Sequence, residues 1–194
     1  MLVAGVGAGP VGRDVTRARI LAAALQLMAD HGFAATSTRE VCERMGFTKA
    51  ALYYHFASKD DLLAALVAPL LADLHHLLPD GGVAATSVAR RDVLAGYVEL
   101  VLTHADLIRV LYEDPSVRRH PLLTGARETY DHLVRALAGD RPDDDVTRIR
   151  ARAALGAVHT ALLRAQPAED PDVLRTAALA AACGALGIPA PRHP

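Results

Sequence analysis

The 194-residue chain contains no tryptophan, and aromatic residues make up only 4% of it. A core of large aromatic rings is therefore excluded, and the interior must be built mainly from Ala, Leu and Val. Ala and Leu are strong helix formers, whereas runs of the β-branched residues that favour strands are scarce. The composition favours closely packed helices.

Cysteine and long apolar segments are also scarce. Cys42 and Cys183 lie far apart and form no CxxC pair, so we expect free thiols rather than a disulfide framework. Residues 1–12 lack the basic start of a secretory signal and are interrupted by glycine and proline, which predicts a disordered tail. The longest uncharged stretch near the C-terminus is too short to cross about 30 Å of hydrocarbon. These features predict a cytoplasmic protein with no membrane partner.

Apolar residues recur at helical spacing along the rest of the chain, and no strand alternation or internal repeat occurs. Breaks are predicted near Pro79, between Asp114 and Pro121, and near Gly139. Pro69 lies inside a predicted helix and should kink it, because proline has no N–H donor. The pattern predicts an all-α fold.

Near the N-terminus, the pattern predicts helices over 13–31, 38–45 and 49–56, with Gly46 in the turn between the last two. Two short helices joined by a turn of about three to four residues form a helix-turn-helix. The second helix of this motif lies in the major groove of DNA, which is about 12 Å wide and admits one α-helix.

The apolar spacing within this motif fits a small core of Val41, Met45, Leu52 and Phe56. The small side chains beside that core can approach bases closely and touch a thymine methyl group, and the polar ones can reach base acceptors or phosphates. The residues left for the groove and its walls are Thr48, Lys49, Ala50, Ala51, Tyr53, Tyr54 and His55.

The string LYYHFASKDDLL, residues 52–63, is the most specific signal in the chain. With the T-x-T-R-E-V start of the second helix and the G-F-T turn, it resembles the DNA-binding domain of the TetR family. Phe47 and Cys42 depart from the residues usual in that family and look like core variations. The DNA-contacting positions that the resemblance implies are Thr38, Arg39, Thr48, Lys49, Ala50, Ala51, Tyr53, Tyr54, His55 and Lys59.

The resemblance covers about residues 13–66. It implies a three-helix, homeodomain-like helix-turn-helix domain over 13–58 and a helical regulatory and dimerisation domain over 59–194. A regulator of this kind binds a double-stranded DNA operator, is commonly a repressor, and is released by a small-molecule effector. No cofactor is implied.

A single helix-turn-helix reads few base pairs, so such proteins pair on a two-fold site. The candidate homodimer surface spans about residues 144–187, where the last predicted helix is dense in Ala and Gly, and the resemblance implies a four-helix bundle there. The alternative is burial of these helices within one chain. The helix before the last offers Ile149, Ala153, Leu155, Ala157, Val158, Leu162 and Leu163.

The middle helices are the candidate effector site, and we expect a modest, mainly apolar pocket. Tyr97, Val101 and His104 fall at i, i+4 and i+7 on one helical face. For each polar candidate, the alternative is a core side chain with a local hydrogen bond. The full set of candidate effector residues is His75, Tyr97, Val101, His104, Tyr112 and Tyr130.

Two other classes of function are alternatives to this one. An enzyme is disfavoured because the chain has no H-E-x-x-H motif, no C-x-x-C motif and no nucleophile elbow, and its histidines fall on different predicted helices. A redox-responsive regulator is the closer alternative, since oxidation of Cys42 would disturb the packing of the helix-turn-helix.

Overall fold

The computed structural model describes residues 10–166 and 168–190, and within them it contains ten α-helices and no strand. The prediction of an all-α fold is confirmed. Two short 3-10 turns, Asp80–Gly82 and Pro121–Leu123, lie between helices. The helices are α1 (Pro10–His31), α2 (Thr38–Met45), α3 (Lys49–His55), α4 (Lys59–His76), α5 (Ser87–Thr103), α6 (Ala105–Glu113), α7 (Pro115–Arg118), α8 (Thr124–Ala138), α9 (Asp145–Leu163) and α10 (Pro171–Leu186).

The bounds of α2 and α3 agree closely with the sequence pattern, whereas those of the first helix and of the segment before α8 differ from it. The first helix begins at Pro10, so it overlaps the predicted tail of residues 1–12, and residues 1–9 of that tail lie outside the described residues. The segment from Asp114 to Pro121, expected to be a loop, contains α7. Asp114 accepts a hydrogen bond from the N–H of Ser116 and Pro115 occupies the first helical position, which together start a single turn.

Residues 62–72 of α4 form an uncharged segment that is mostly apolar. Helix α4 continues through Pro69, which lies in its interior. Helix α5 ends at Thr103, and His104 forms the junction to α6. Among the described residues, no helix is both long enough and apolar enough to span a bilayer.

One continuous core runs through the described part of the chain. Helices α9 and α10 pack extensively against each other, and both also pack against α5. Helices α1, α2 and α3 form a three-helix head around residues such as Ile20, Val41 and Leu52, each fully buried. Each such side chain contributes about 1.5–3 kcal/mol through removal of apolar surface from water. The head contacts the remaining helices through α1, which packs against α4 and α6.

Candidate nucleic-acid interface

The start of α2 is fixed by a reciprocal capping box. The Ser37 Oγ accepts from the backbone N–H of Glu40 at 3.2 Å, and the Ser37 backbone N–H donates to the Glu40 carboxylate at 2.7 Å. The Ser37 hydroxyl also donates to this carboxylate at 2.8 Å, and this bond, followed by the one from the Ser37 backbone N–H, lowers the pKa of Glu40. Two donors that a helix start leaves unpaired are thereby satisfied, and the first turn is rigid.

The turn between α2 and α3 requires glycine at one position. Gly46 has φ +66°, in the left-handed region, and the N–H of Phe47 donates to the Cys42 carbonyl at 2.9 Å. Thr48 then caps α3, because its Oγ1 accepts from the N–H of Ala51 at 3.2 Å. The predicted turn at Gly46 is confirmed.

The predicted core of the motif is largely confirmed. Val41, Leu52 and Phe56 are buried, and Met45 is half-buried. Their packing turns the opposite side of α3 outward. Among the candidate contacts on α3 and at its N-cap, His55 is half-buried and the others are exposed, with the Tyr54 side chain 66% accessible.

Positive charges accompany the exposed tyrosines of α3. The Arg13 guanidinium lies 4.8 Å from the ring centroid of Tyr54, and the Lys49 ammonium lies 5.7 Å from that of Tyr53. Cations within about 6 Å of a ring face are attracted to it. Hydroxyl, ammonium and guanidinium donors therefore share one face of the head, which suits the oxygens of a phosphate backbone.

A second arginine of α1 braces the end of α3. The Arg17 guanidinium donates to the His55 carbonyl at 3.5 Å and lies 4.4 Å from the ring centroid of Phe56. A cation at a helix C-terminus complements the helix dipole. Sequence reasoning did not identify this role, because the two partners are 38 residues apart.

The two candidates on α2 differ in exposure. Thr38 is half-buried at the first position of the helix, and Arg39 is exposed. The Arg39 Nε donates to the Glu43 carboxylate one turn later at 2.8 Å, and this hydrogen bond raises the pKa of Arg39. Arg39 is thus held along the outer edge of α2.

Lys59 has partners that the sequence did not suggest. Its ammonium donates to the carbonyls of Phe33 at 2.8 Å and Ala34 at 3.3 Å, and it lies 4.3 Å from the Phe33 ring centroid. The structure therefore places the side chain on the α1–α2 turn, where it holds the head together. A phosphate contact by Lys59 stays a prediction.

Comparison with known proteins identifies this head. Residues 20–66 match the model of a family described as bacterial regulatory proteins, tetR family. The three-helix head is thus similar to the DNA-binding region of the TetR family. The matched region contains the capping box, the Gly46 turn and the whole of α3.

Curated proteins similar to the head include transcriptional regulators. The HTH-type transcriptional repressor Rv3405c of Mycobacterium tuberculosis is 39% identical over 69 residues, which are 36% of this chain and 37% of that protein. The chain thus spans little more than a third of the length of that curated relative.

Solved structures extend the likeness to the helices behind the head. SCO3833, a TetR-family regulator from Streptomyces coelicolor A3, matches with a TM-score of 0.68 at 23% identity, over 87% of this chain and 89% of that one. The SmeT–triclosan complex matches with a TM-score of 0.59 at 24% identity, over 88% and 91%. At these identities the likeness establishes the fold: a TetR-like head followed by a helical domain.

In that helical domain, two of the six candidate effector residues contact one histidine. The Tyr97 hydroxyl on α5 is 2.7 Å from the His159 Nε2 on α9, and the Tyr112 ring on α6 meets the His159 ring edge-on at 5.5 Å. Tyr130 on α8 is half-buried, and after burial its phenol is the next cause that raises the pKa of Tyr97. We call Tyr97, Tyr112, Tyr130 and His159 the tyrosine cluster.

Burial sets the protonation states inside the tyrosine cluster. It raises the pKa of Tyr97 well above its usual value and lowers the pKa of His159. Both groups are therefore neutral near pH 7, and the imidazole tautomer determines which of them donates the hydrogen bond. His159 was missed as a candidate because only tertiary packing brings it to Tyr97, 62 residues away.

The other three candidates do not join the tyrosine cluster in this way. His75 is exposed on α4, and His104, beyond the end of α5, pairs with the Asp73 carboxylate at 2.8 Å. Val101 is fully buried in the core. The expectation that Tyr97, Val101 and His104 share a helical face fails at His104, because α5 ends at Thr103.

The candidate dimer surface contains both buried and exposed residues. Leu155, Val158 and Leu162 are buried within the chain, which corrects their assignment to the dimer surface. Large apolar side chains on the outer sides of α9 and α10, including Ile149 and Val173, are more than half exposed. A groove of about 330 Å³ along α10 is lined by Asp172, Val173, Thr176, Ala177 and Ala180.

Two glycines lie on the outer sides of these helices. A Cβ atom added at Gly156 on α9 or at Gly184 on α10 would have no atom within 4 Å beyond its local helix backbone. Gly184 continues the line of Val173, Ala177 and Ala180 at helical spacing. The chain thus presents a stripe of small residues where another helix can approach closely.

Cys42 is buried in the head, with its Sγ 3.9 Å from the Thr48 carbonyl. Redox-sensing thiols are accessible and acidic. The redox alternative therefore has no support in this geometry. No group of three or more metal-ligating side chains occurs within residues 10–166 and 168–190.

Proposed function

We propose that the chain is a dimeric transcriptional repressor that binds a palindromic DNA operator and is released by a small, mainly apolar effector. The observation that carries the proposal is the outer face of α3. This face is exposed and cationic, and a capped turn presents it within a TetR-family head.

On DNA, α3 enters the major groove and its residues divide into two roles. Ala50 and Ala51 are small enough to bring the helix against base edges, and Lys49 reaches a base acceptor or a phosphate. The hydroxyls of Tyr53 and Tyr54, beside their cations, donate to phosphate oxygens. The other proposed contacts are Thr38, Arg39, Thr48, His55 and Lys59.

The dimer forms through the outer sides of α9 and α10. Exposed Ile149 and Val173 supply apolar area, while Gly156 and Gly184 let the backbones of two chains approach. Pairing about a two-fold axis places two copies of α3 on successive half-sites, which suits a palindromic operator.

The effector binds at the tyrosine cluster. Tyr97 and His159 form a neutral hydrogen-bonded pair, and the Tyr112 ring packs edge-on against His159. Tyr130 is near enough to contribute to the raised pKa of Tyr97. An apolar ring with one hydroxyl group fits these features, and SmeT, which shares the fold, is known as a complex with triclosan.

The effector proposal is tested with a panel of apolar phenols that includes triclosan. A compound that binds the cluster should raise the midpoint of thermal unfolding by several degrees, about 2–4 °C for each kcal/mol at this chain length. His159→Phe, which removes the imidazole, should abolish that shift. If a compound released the parent and the His159→Phe variant from DNA equally well, the effector would not bind at the tyrosine cluster.

The DNA proposal predicts a steep dependence of affinity on salt. With about three to four phosphate contacts in each of two heads, the affinity for a DNA site should fall about a thousandfold between about 50 and 200 mM salt. Lys49→Ala should reduce the slope of log affinity against log salt by about two, one for each head, if the ammonium contacts phosphate. A flat salt response of the parent would contradict phosphate binding by the head.

A further inference from the structure

The end of α6 is bonded to the head through one carboxylate. The backbone N–H of Phe33, in the α1–α2 turn, donates to Asp114 Oδ2 at 2.6 Å. The other oxygen, Oδ1, accepts from the Ser116 backbone N–H at 2.8 Å and the Ser116 hydroxyl at 2.6 Å. Burial raises the pKa of Asp114, but these hydrogen bonds together outweigh it, so the pKa is lowered. Asp114 is therefore ionised near pH 7 and forms charge-assisted bonds on both sides.

The turn that receives this bond is shaped for close approach. Gly32 has φ +83°, and a Cβ atom there would lie 3.0 Å from Asp114 Oδ2. The adjacent Phe33 is buried, with the Lys59 ammonium over its ring and the His120 ring edge-on at 5.5 Å. A carboxylate, an ammonium and two rings thus fix the α1–α2 turn against α4 and the segment that follows α6.

The same end of α6 also contacts the tyrosine cluster. Tyr112 lies two residues before Asp114 and packs against His159, which is bonded to Tyr97. The last turn of α6 therefore contacts α9 through one side chain, and the residue capping its end contacts the head through another. Tyr112 and Asp114 are only two residues apart, and a helix rises about 1.5 Å per residue. The contact of Tyr112 with α9 and the contact of Asp114 with the head therefore cannot move independently.

We propose that Asp114 is a positioning residue that couples the tyrosine cluster to the three-helix head. This inference rests on the proposed function, in which the cluster binds the effector. A change in the packing of Tyr112 moves the end of α6, and the short bond from Phe33 to Asp114 transmits that movement to the α1–α2 turn. An effector shifts the head to the extent that it prefers one arrangement of α6 over the other.

Two substitutions separate this coupling from the local capping role. Asp114→Asn keeps one acceptor oxygen for the cap of α7, a position that asparagine favours. Its amide NH2 group then faces the N–H of Phe33 and cannot accept that hydrogen bond. Ser116→Ala is the matched control, because it removes a hydrogen bond to Asp114 on the α7 side only. The measurement is hydrogen exchange at the Phe33 amide in the full chain, without DNA or effector.

Asp114→Asn should accelerate exchange at Phe33 by about tenfold or more, whereas Ser116→Ala should leave it near the parent rate. Tyr112→Ala, a change at an exposed side chain, should also accelerate it, because α6 loses its anchor on His159. When Tyr112→Ala is added to the Asp114→Asn variant, exchange at the Phe33 amide should not accelerate further, because the bond between Asp114 and Phe33 is already lost.

Additive effects of the two substitutions, or no effect of Tyr112→Ala in the parent, would overturn the coupling. A purely structural role for Asp114 predicts additivity, so the double variant separates the two explanations. His159→Trp introduces a larger ring against Tyr112 and so perturbs the same contact in a second way. Its effect on exchange at the Phe33 amide should likewise disappear in the Asp114→Asn variant. Failure of the proposed function itself would appear separately, as absence of DNA binding by the parent.

Discussion

Replacing Gly184 by glutamate is expected to convert the dimer into a monomer and to abolish operator binding. Gly184 is exposed on α10, and a Cβ atom there meets nothing within 4 Å, so the isolated chain accommodates the new side chain. In the dimer, the carboxylate would face the apolar helices of a second chain without a partner. Leaving a buried charge unpaired costs about 3–5 kcal/mol, which raises the dimer dissociation constant by at least about a hundredfold.

The matched control is Gly125→Glu. Gly125 lies in the first turn of α8, is exposed, and has no atom within 4 Å of an added Cβ beyond its local backbone. Sedimentation equilibrium of both variants reports the association state, and circular dichroism reports the fold. We expect Gly125→Glu to remain dimeric. A Gly184→Glu variant that also stays dimeric would exclude the α9–α10 surface as the interface.

The second large effect is expected from Lys49→Ala combined with Tyr54→Ala. Both side chains are exposed on α3, so their removal should leave the helical content and the dimer unchanged. Each contact to a base or phosphate contributes about 1–3 kcal/mol, and a dimer loses both contacts twice. Operator affinity should therefore fall by a factor of about a thousand or more.

The control for this pair is Arg135→Ala combined with Val88→Ala, which removes one cation and one exposed side chain far from α3. Titration of a labelled operator by fluorescence anisotropy measures all three proteins. If the α3 variant bound as tightly as the parent and the control, the recognition helix would have to be placed elsewhere in the head.

Local signals explain why the head was predictable from the sequence. The Thr48 cap, the glycine at position 46 and the alternation of apolar and polar residues act within a few positions of one another. The bounds of α2 and α3 can therefore be predicted without knowledge of any tertiary contact. The capping box at Ser37 was equally local, since Glu40 follows three residues later, and it could have been found by the same reasoning.

Contacts between distant residues explain most of what the sequence did not reveal. Phe33 and Asp114 are 81 residues apart and Lys59 and Phe33 are 26 apart, so neither pairing follows from helical periodicity. His159 is a half-buried side chain on α9 whose partner is known only once α5 packs against it. In contrast, the assignment of Leu155 to the dimer surface failed because an apolar side chain suits a monomer core as well as an interface.

The most direct test of DNA recognition is selection of bound fragments from the genome of the source organism by the purified parent. The Lys49→Ala/Tyr54→Ala variant is selected in parallel as the control. The account predicts that the parent alone enriches a near-palindromic site, with half-sites about one helical turn apart or a multiple of it. Equal recovery by the parent and the variant, or no enrichment by either, would contradict sequence-specific binding through α3.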